Sequence, residues 1–151
     1  MATEIERKFL VTDACYRSMA RSSVEIAQCY LSREVEATVR IRRAGERGFI
    51  TVKGRTSGAS RGEWEYEIPL ADAVAMSALA GGWSIEKTRY LVDFAGHTWE
   101  VDEFHGRHEG LVIAEVELDE ENEAVILPPF AGREVTGEAA YYNSALADES
   151  R

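Results

Sequence analysis

The sequence has little that would staple a fold, cross a membrane or seize nucleic acid. Cysteine occurs twice, as Cys15 and Cys29, without metal-ligand spacing. That removes a disulfide framework and a zinc finger, and it fits free thiols in a reducing compartment. The three histidines, His97, His105 and His108, lack the i, i+4 spacing of a helical metal pair. Apolar runs are short; Leu111-Val112-Ile113-Ala114 is far from the roughly 20 residues that span a bilayer. No basic, apolar leader opens the chain, so a cytoplasmic location is expected. Cations are scarce as well. Seventeen Lys and Arg against 27 Asp and Glu leave a net charge of −10, which argues against nucleic-acid binding by bulk electrostatics. A local cluster of cations can still hold a small anion.

What is present describes one ordinary globular domain over residues 1–151, with 45% hydrophobic and 29% charged residues. Period-2 alternation predicts eight strands, at 4–11, 24–33, 37–43, 49–53, 63–69, 85–94, 98–104 and 111–118. Helical spacing predicts a short piece at 13–21 and an Ala-rich helix at 70–80, stopped by Gly81-Gly82. An acidic-fronted helix at 119–127, ended by Pro128-Pro129, and a last helix at 138–147 complete the expectation. Short turns between strands make the fold mainly β (α+β) and antiparallel. The polar loop at 54–62 lacks the G-K-[ST] ending of a phosphate-binding P-loop, and no G-x-S-x-G occurs.

The strands carry chemistry on one face. Glu4, Glu6 and Lys8 share a face, with Ile5, Arg7 and Phe9 opposite. Arg40 and Arg42 oppose Val39 and Ile41, and Thr51 and Lys53 oppose Ile50 and Val52. Glu63, Glu65 and Glu67 oppose Trp64, Tyr66 and Ile68. The pattern returns in Lys87 and Arg89, Glu100 and Asp102, and Glu115 and Glu117. A single strand written this way is ordinarily the wet side of a sheet. A whole sheet so written is not, because a solvated face normally mixes in Thr, Ser and Gln.

Residues i and i+2 lie roughly 6.5–7 Å apart on a strand face, so Glu4/Glu6, Glu63/Glu65 and Glu115/Glu117 bring like charges together. Clustered carboxylates suit hard divalent cations, Mg²⁺ or Mn²⁺. Arg40/Arg42 and Lys87/Arg89 suit phosphate oxygens. Six cations against nine acids leave this face at −3, and two divalent ions would bring it to +1. Periodicity does not decide between an open sheet with a polar outer face and a barrel with a polar lumen.

The stretch Glu4-Ile5-Glu6-Arg7-Lys8 resembles the E-x-E-x-K signature of the CYTH domain, the triphosphate tunnel metalloenzymes. The resemblance continues in order through Gln28-Cys29-Tyr30-Leu31, Val39-Arg40-Ile41-Arg42, Thr51-Val52-Lys53 and Glu63-Trp64-Glu65. Glu86-Lys87-Thr88-Arg89-Tyr90, Glu115-Val116-Glu117 and Glu134-Val135-Thr136-Gly137 with Tyr141 and Asn143 extend it. It implies an eight-stranded antiparallel β-barrel forming a charged tunnel, with a few flanking helices. It implies Glu4, Glu6, Glu115 and Glu117 as metal ligands, with Glu63, Glu65 and Asp102 contributing directly or through water. It further implies Lys8, Arg40, Arg42, Lys53 and Arg89, with Tyr30, as the substrate-binding set. Lys87 is the candidate for activating the attacking water, with a further phosphate ligand as its plainer alternative. The chain departs from the pattern at Ala139-Ala140, where a basic residue often precedes the closing Tyr, and at Cys29, where Gly is usual.

The expected activity is metal-dependent hydrolysis of a small-molecule triphosphate, inorganic tripolyphosphate first. Thiamine or nucleoside triphosphate hydrolysis and adenylate cyclisation stand as alternatives. Two readings of another class also stand: a module that binds polyphosphate without cleaving it, and a charged open sheet used for protein contacts. The outer face with Trp64, Tyr66 and Trp99 is to be covered by the chain's own helices or by a second subunit in a homodimer.

Overall fold

The structure, a computed structural model, describes residues 2–147. Nine strands form one antiparallel sheet: β1 (Ala2–Val11), β2 (Ser22–Glu34), β3 (Ala37–Ala44), β4 (Arg47–Lys53) and β5 (Ser60–Ile68), then β6 (Ile85–Phe94), β7 (His97–Phe104), β8 (Val112–Glu117) and β9 (Ala131–Glu134). The order is β5-β4-β3-β2-β6-β7-β8-β1, and a β5–β1 pairing closes these eight strands into a barrel. The ninth, β9, was not expected from the sequence. It lies outside the ring on the far half of β1, with Phe9 opposite Glu134 and Val11 opposite Ala131. A-G-R-E has no alternation to read; β1 templates it.

Helices are few: α1 (Tyr16–Met19), α2 (Leu70–Leu79) and α3 (Asn143–Leu146). The helix expected at 119–127 does not form. Glu123 accepts from the backbone N–H of Asp119 and bonds His97 Nε2 at 2.6 Å, while Glu121 accepts from Ser60 Oγ at 2.8 Å. These tethers hold the segment against the barrel and override its helical spacing. The last helix is likewise broken, into a 3₁₀ turn at Ala139–Tyr141 and α3.

Closing a barrel with charged residues inside puts most of the apolar core outside it. Phe9, Trp99, Val101 and Val116 face outward from β1, β7 and β8 and pack under Tyr16 and Phe130. Phe9 and Trp99 lie 5.6 Å apart by ring centroid, and Trp99 meets Phe130 edge-on at 6.2 Å. A second core, with Cys29 and Ile41 under Ala73, seats α2 on the opposite wall. Cys29 therefore points out of the barrel and is buried. Trp99 is covered by the chain itself, whereas Tyr66 is 64% exposed and Trp64 36%.

One end of the lumen is apolar. Ile85, Phe104 and Ile113 point inward there and pack with Tyr30, Leu146 and Ala147. Arg107 and His108 donate to the carbonyl of Leu146, which pins α3 into that end as a stopper.

Gly48 lets α2 approach β4. A Cβ there would lie 2.8 Å from the Cβ of Ala73 and 3.2 Å from the carbonyl of Ile68. Gly48→Val is expected to destabilise the protein by about 1–3 kcal/mol through overpacking. Chemical denaturation checks this, and an unchanged midpoint would mean that α2 does not sit so close.

Candidate functional site: a charged cavity in the barrel

A cavity of about 150 Å³ occupies the lumen. Twelve of the fourteen site residues expected from the sequence line it, supplied by β1 to β6 and β8. Period-2 alternation accounts for this: each strand turns its charged side inward and its apolar side to the outer core. Lys87 and Asp102 are the two that do not line it. They lie deeper in the barrel, toward its apolar end, 0% and 1% exposed. Glu67, on the same face of β5, is also outside the cavity, exposed and paired with Arg47 at 2.6 Å.

Acids and cations are sorted within the cavity. Carboxylate oxygens of Glu4, Glu63 and Glu117 lie within 4.8 Å of one another. Burial and then the neighbouring Glu100, Glu4 and Glu63 raise the Glu117 carboxyl to about 7. Glu63 is raised by burial and Glu4, and Glu6 is raised well above its ordinary range by burial, Glu115 and Glu4. Lys53 partly answers this charge, donating to both oxygens of Glu4 at 2.9 and 3.0 Å and lying 3.5 Å from Glu63. An all-oxygen set with excess negative charge has the chemistry of a hard divalent cation site, so these residues fit the metal expected from the sequence.

The cationic side is short of counter-charge in the complementary way. Burial, with Arg40 and Arg89 beside it, lowers the Arg42 guanidinium to about 9. Its Nε donates to Gln28 Oε1 at 2.8 Å, and it forms no ion pair among the described residues. Arg40 donates to Thr51 and Glu65, yet its buried Nε has no partner. Leaving such a donor unsatisfied costs about 1–3 kcal/mol, more for a charged group. An anion lodged here would remove that cost. Lys8 lies 3.7 Å from Glu115. Burial opposes its charge, but Glu115 and Glu6 raise it; burial likewise opposes ionisation of Glu115, which Lys8 nonetheless draws down to about 2.

Between the cavity and the apolar end, Asp102 accepts from Lys87 Nζ at 2.6 Å and from two nitrogens of Arg89 at 2.8 and 2.9 Å. Burial opposes the Asp102 charge, but Arg89 and Lys87 hold the carboxyl far below the usual range. Arg89 also reaches Glu100 at 3.1 Å. Burial lowers Lys87 to about 7, with Arg89 and Arg42 adding to the effect and Asp102 opposing it. Its ammonium also meets Asn143 Oδ1 at 3.1 Å and the face of Phe104, 5.3 Å from the ring centroid.

Several cavity residues were not singled out from the sequence. Arg61 precedes Glu63 by two on β5, so the same alternation carried the signal, but it fell in a Gly- and Ser-rich stretch assigned to a loop. Tyr142 and Ser144, which flank the Asn143 of the closing motif, reach the cavity from the far end of the chain, where no strand periodicity exists to place them.

The sequence matches the CYTH domain over residues 2–149. The chain belongs to the CYTH family. Two curated relatives are both named inorganic triphosphatase. The protein from Acetivibrio thermocellus is 47% identical over 147 residues, covering 97% of this chain and 94% of its own. The one from Nitrosomonas europaea is 38% identical over 151 residues, covering 96% and 97%. The crystal structure of the inorganic triphosphatase NE1496 superposes with a TM-score of 0.66 at 34% identity, over 97% of this chain and 95% of that one. The CYTH barrel described here is therefore a triphosphatase-type fold along its whole length.

The raised Glu117 carboxyl gives a pH test. Between its ordinary range and about 7, the folded chain holds a proton that the unfolded chain releases. Stability of the metal-free protein therefore falls as pH rises from about 5 to about 7. Glu117→Gln should flatten that fall and also reduce the rise in melting temperature on adding Mg²⁺ or Mn²⁺ near pH 7. Parallel wild-type and variant melts in EDTA and in metal would remove Glu117 from the cation site.

Proposed function

We propose that the protein hydrolyses a triphosphate, inorganic tripolyphosphate in preference to nucleotides, to diphosphate and phosphate. The carrying observation is the paired imbalance of the cavity: an acidic cluster short of cations beside a guanidinium cluster short of anions. A metal-bound polyphosphate answers both at once. The names of the two relatives point to the same substrate class.

Glu4, Glu63 and Glu117 would hold Mg²⁺ or Mn²⁺, with Glu6, Glu65 and Glu115 beside them on the cavity wall. The cation neutralises phosphoryl charge when bound. Arg40, Arg42, Lys8, Lys53 and Arg89 orient the chain of phosphates and stabilise charge on the phosphoryl group in flight. Tyr30 lines the wall beside them. Water attacks the terminal phosphorus, the anhydride P–O bond breaks, and diphosphate departs with the bonding pair.

We assign the water's proton to Lys87. Its lowered pKa makes the neutral amine available near neutral pH. Asp102 and Asn143 accept the two N–H bonds that a neutral amine possesses, which leaves the lone pair free. Asp102 thus positions Lys87 and Arg89 in place of binding metal. Asn143 both bonds Lys87 and lines the cavity, so it links the buried amine to the lumen.

The test is phosphate release from tripolyphosphate, ATP and thiamine triphosphate, with EDTA, Mg²⁺ or Mn²⁺, and with cAMP measured in the ATP sample. Metal-dependent release that favours tripolyphosphate is expected; cAMP, or metal-dependent binding without release, would replace this reading. Lys87→Ala should lower kcat about 100-fold or more with a much smaller change in KM. Equal losses in both would make Lys87 a binding residue.

A further inference from the structure

Six cations line the cavity, and two of them, Arg42 and Arg61, form no ion pair among the described residues. They stand well apart. Arg61 reaches Thr38 Oγ1 at 3.5 Å, and Thr38 precedes Arg42 by four residues of β3, about 13 Å of strand. Arg42 lies toward the stopper, in the company of Arg89 and Asp102. Arg61 faces the other way, opposite Glu4 in the β1–β5 pairing and beside the connection between β4 and β5. An anion that satisfies both ends must be extended.

Arg61 is half-buried and half-committed. Its Nε and Nη2 donate to the carbonyl of Gly54 at 3.1 and 2.8 Å. Its Nη1 has no hydrogen bond among the described residues. Thr56, Gly58 and Ala59 of the β4–β5 connection line the cavity next to it. The base of this connection is fixed, because the N–H of Glu6 donates to the Ala59 carbonyl and that of Gly54 to the Gly62 carbonyl. A guanidinium fork presenting a free edge beside ordered backbone is suited to a phosphoryl group.

We propose that Arg61 is a further substrate-contact residue, gripping the phosphoryl group farthest from Lys87 and tying it to the β4–β5 connection through Gly54. This rests on the triphosphate reading above. It gives the cavity a measure of length: a diphosphate seated near Arg42 and Arg89 leaves Arg61 unused, whereas a third phosphoryl group reaches it. Arg61 contributes to how tightly substrate is held and not to the chemistry at the attacked phosphorus.

The experiment is steady-state hydrolysis of tripolyphosphate by wild-type, Arg61→Ala and Arg61→Lys protein, with melting temperatures alongside and with diphosphate as an inhibitor. Arg61→Ala is expected to raise KM about 10- to 100-fold, the usual cost of a charge-assisted contact, while kcat changes far less. Diphosphate inhibition is expected to change less than KM. Arg61→Lys, which keeps the charge but loses the fork, should fall between and serves if the alanine variant folds poorly. A wild-type KM in Arg61→Ala overturns the proposal. So does a lowered melting temperature with equal loss in kcat and KM, which would make Arg61 only a staple for Gly54. Wild-type protein that neither binds nor cleaves tripolyphosphate overturns the function itself and this contact with it; normal wild-type turnover confines any failure to Arg61.

Discussion

Asp102 accepts hydrogen bonds from Lys87 and Arg89 together, and the interior of the barrel is organised around that shared carboxylate. Two cations and an acid are withdrawn almost fully from water, which is tolerable only because the geometry satisfies them all. Removing any one would leave a buried charge without its answer. Arg89 is thereby fixed on the cavity wall, and Lys87 is held at the border between the polar lumen and the apolar stopper. The same border explains the depressed Lys87 pKa: Phe104 and its neighbours exclude water, and the adjacent guanidinium groups disfavour another positive charge.

Elsewhere in the lumen the charges are deliberately unfinished. Glu117 and Glu6 are pushed toward their neutral forms by burial and then by crowding among carboxylates, and Arg42 toward its own by burial and then by crowding among guanidiniums. A stability-driven interior would interleave these groups into neutral pairs. Segregating them stores unfavourable interaction that a ligand carrying both signs relieves, which is the logic of a site preorganised for charge. The protein can carry this load because its hydrophobic core lies outside the barrel, under α1, α2 and the segment leading to β9.

The barrel strands were legible because inward charge and outward apolar residues alternate along most of each strand, and because Glu4 to Lys8 begins the pattern. What periodicity reports is the face on which a residue lies, not its depth along the axis. Lys87 and Arg89 share a face, yet one is sealed against Phe104 of the stopper and the other opens on the cavity; nothing in their spacing distinguishes them. Asp102 read as one more acid among acids, and only its neighbours in space reveal it as a counter-ion. The failures have local causes too. Residues 119–127 carry a good helical start but are held by His97 and Ser60, distant in sequence. β9 is too short and too polar to announce itself, and exists because half of β1 has a free edge beyond its pairing with β5.

The stopper at the α3 end has a consequence for traffic. With Leu146 and Ala147 packed against Ile85, Phe104 and Ile113, the described residues plug that end of the lumen. Under the proposed function, a product formed beside that plug would have to leave past whatever is still held nearer Arg61.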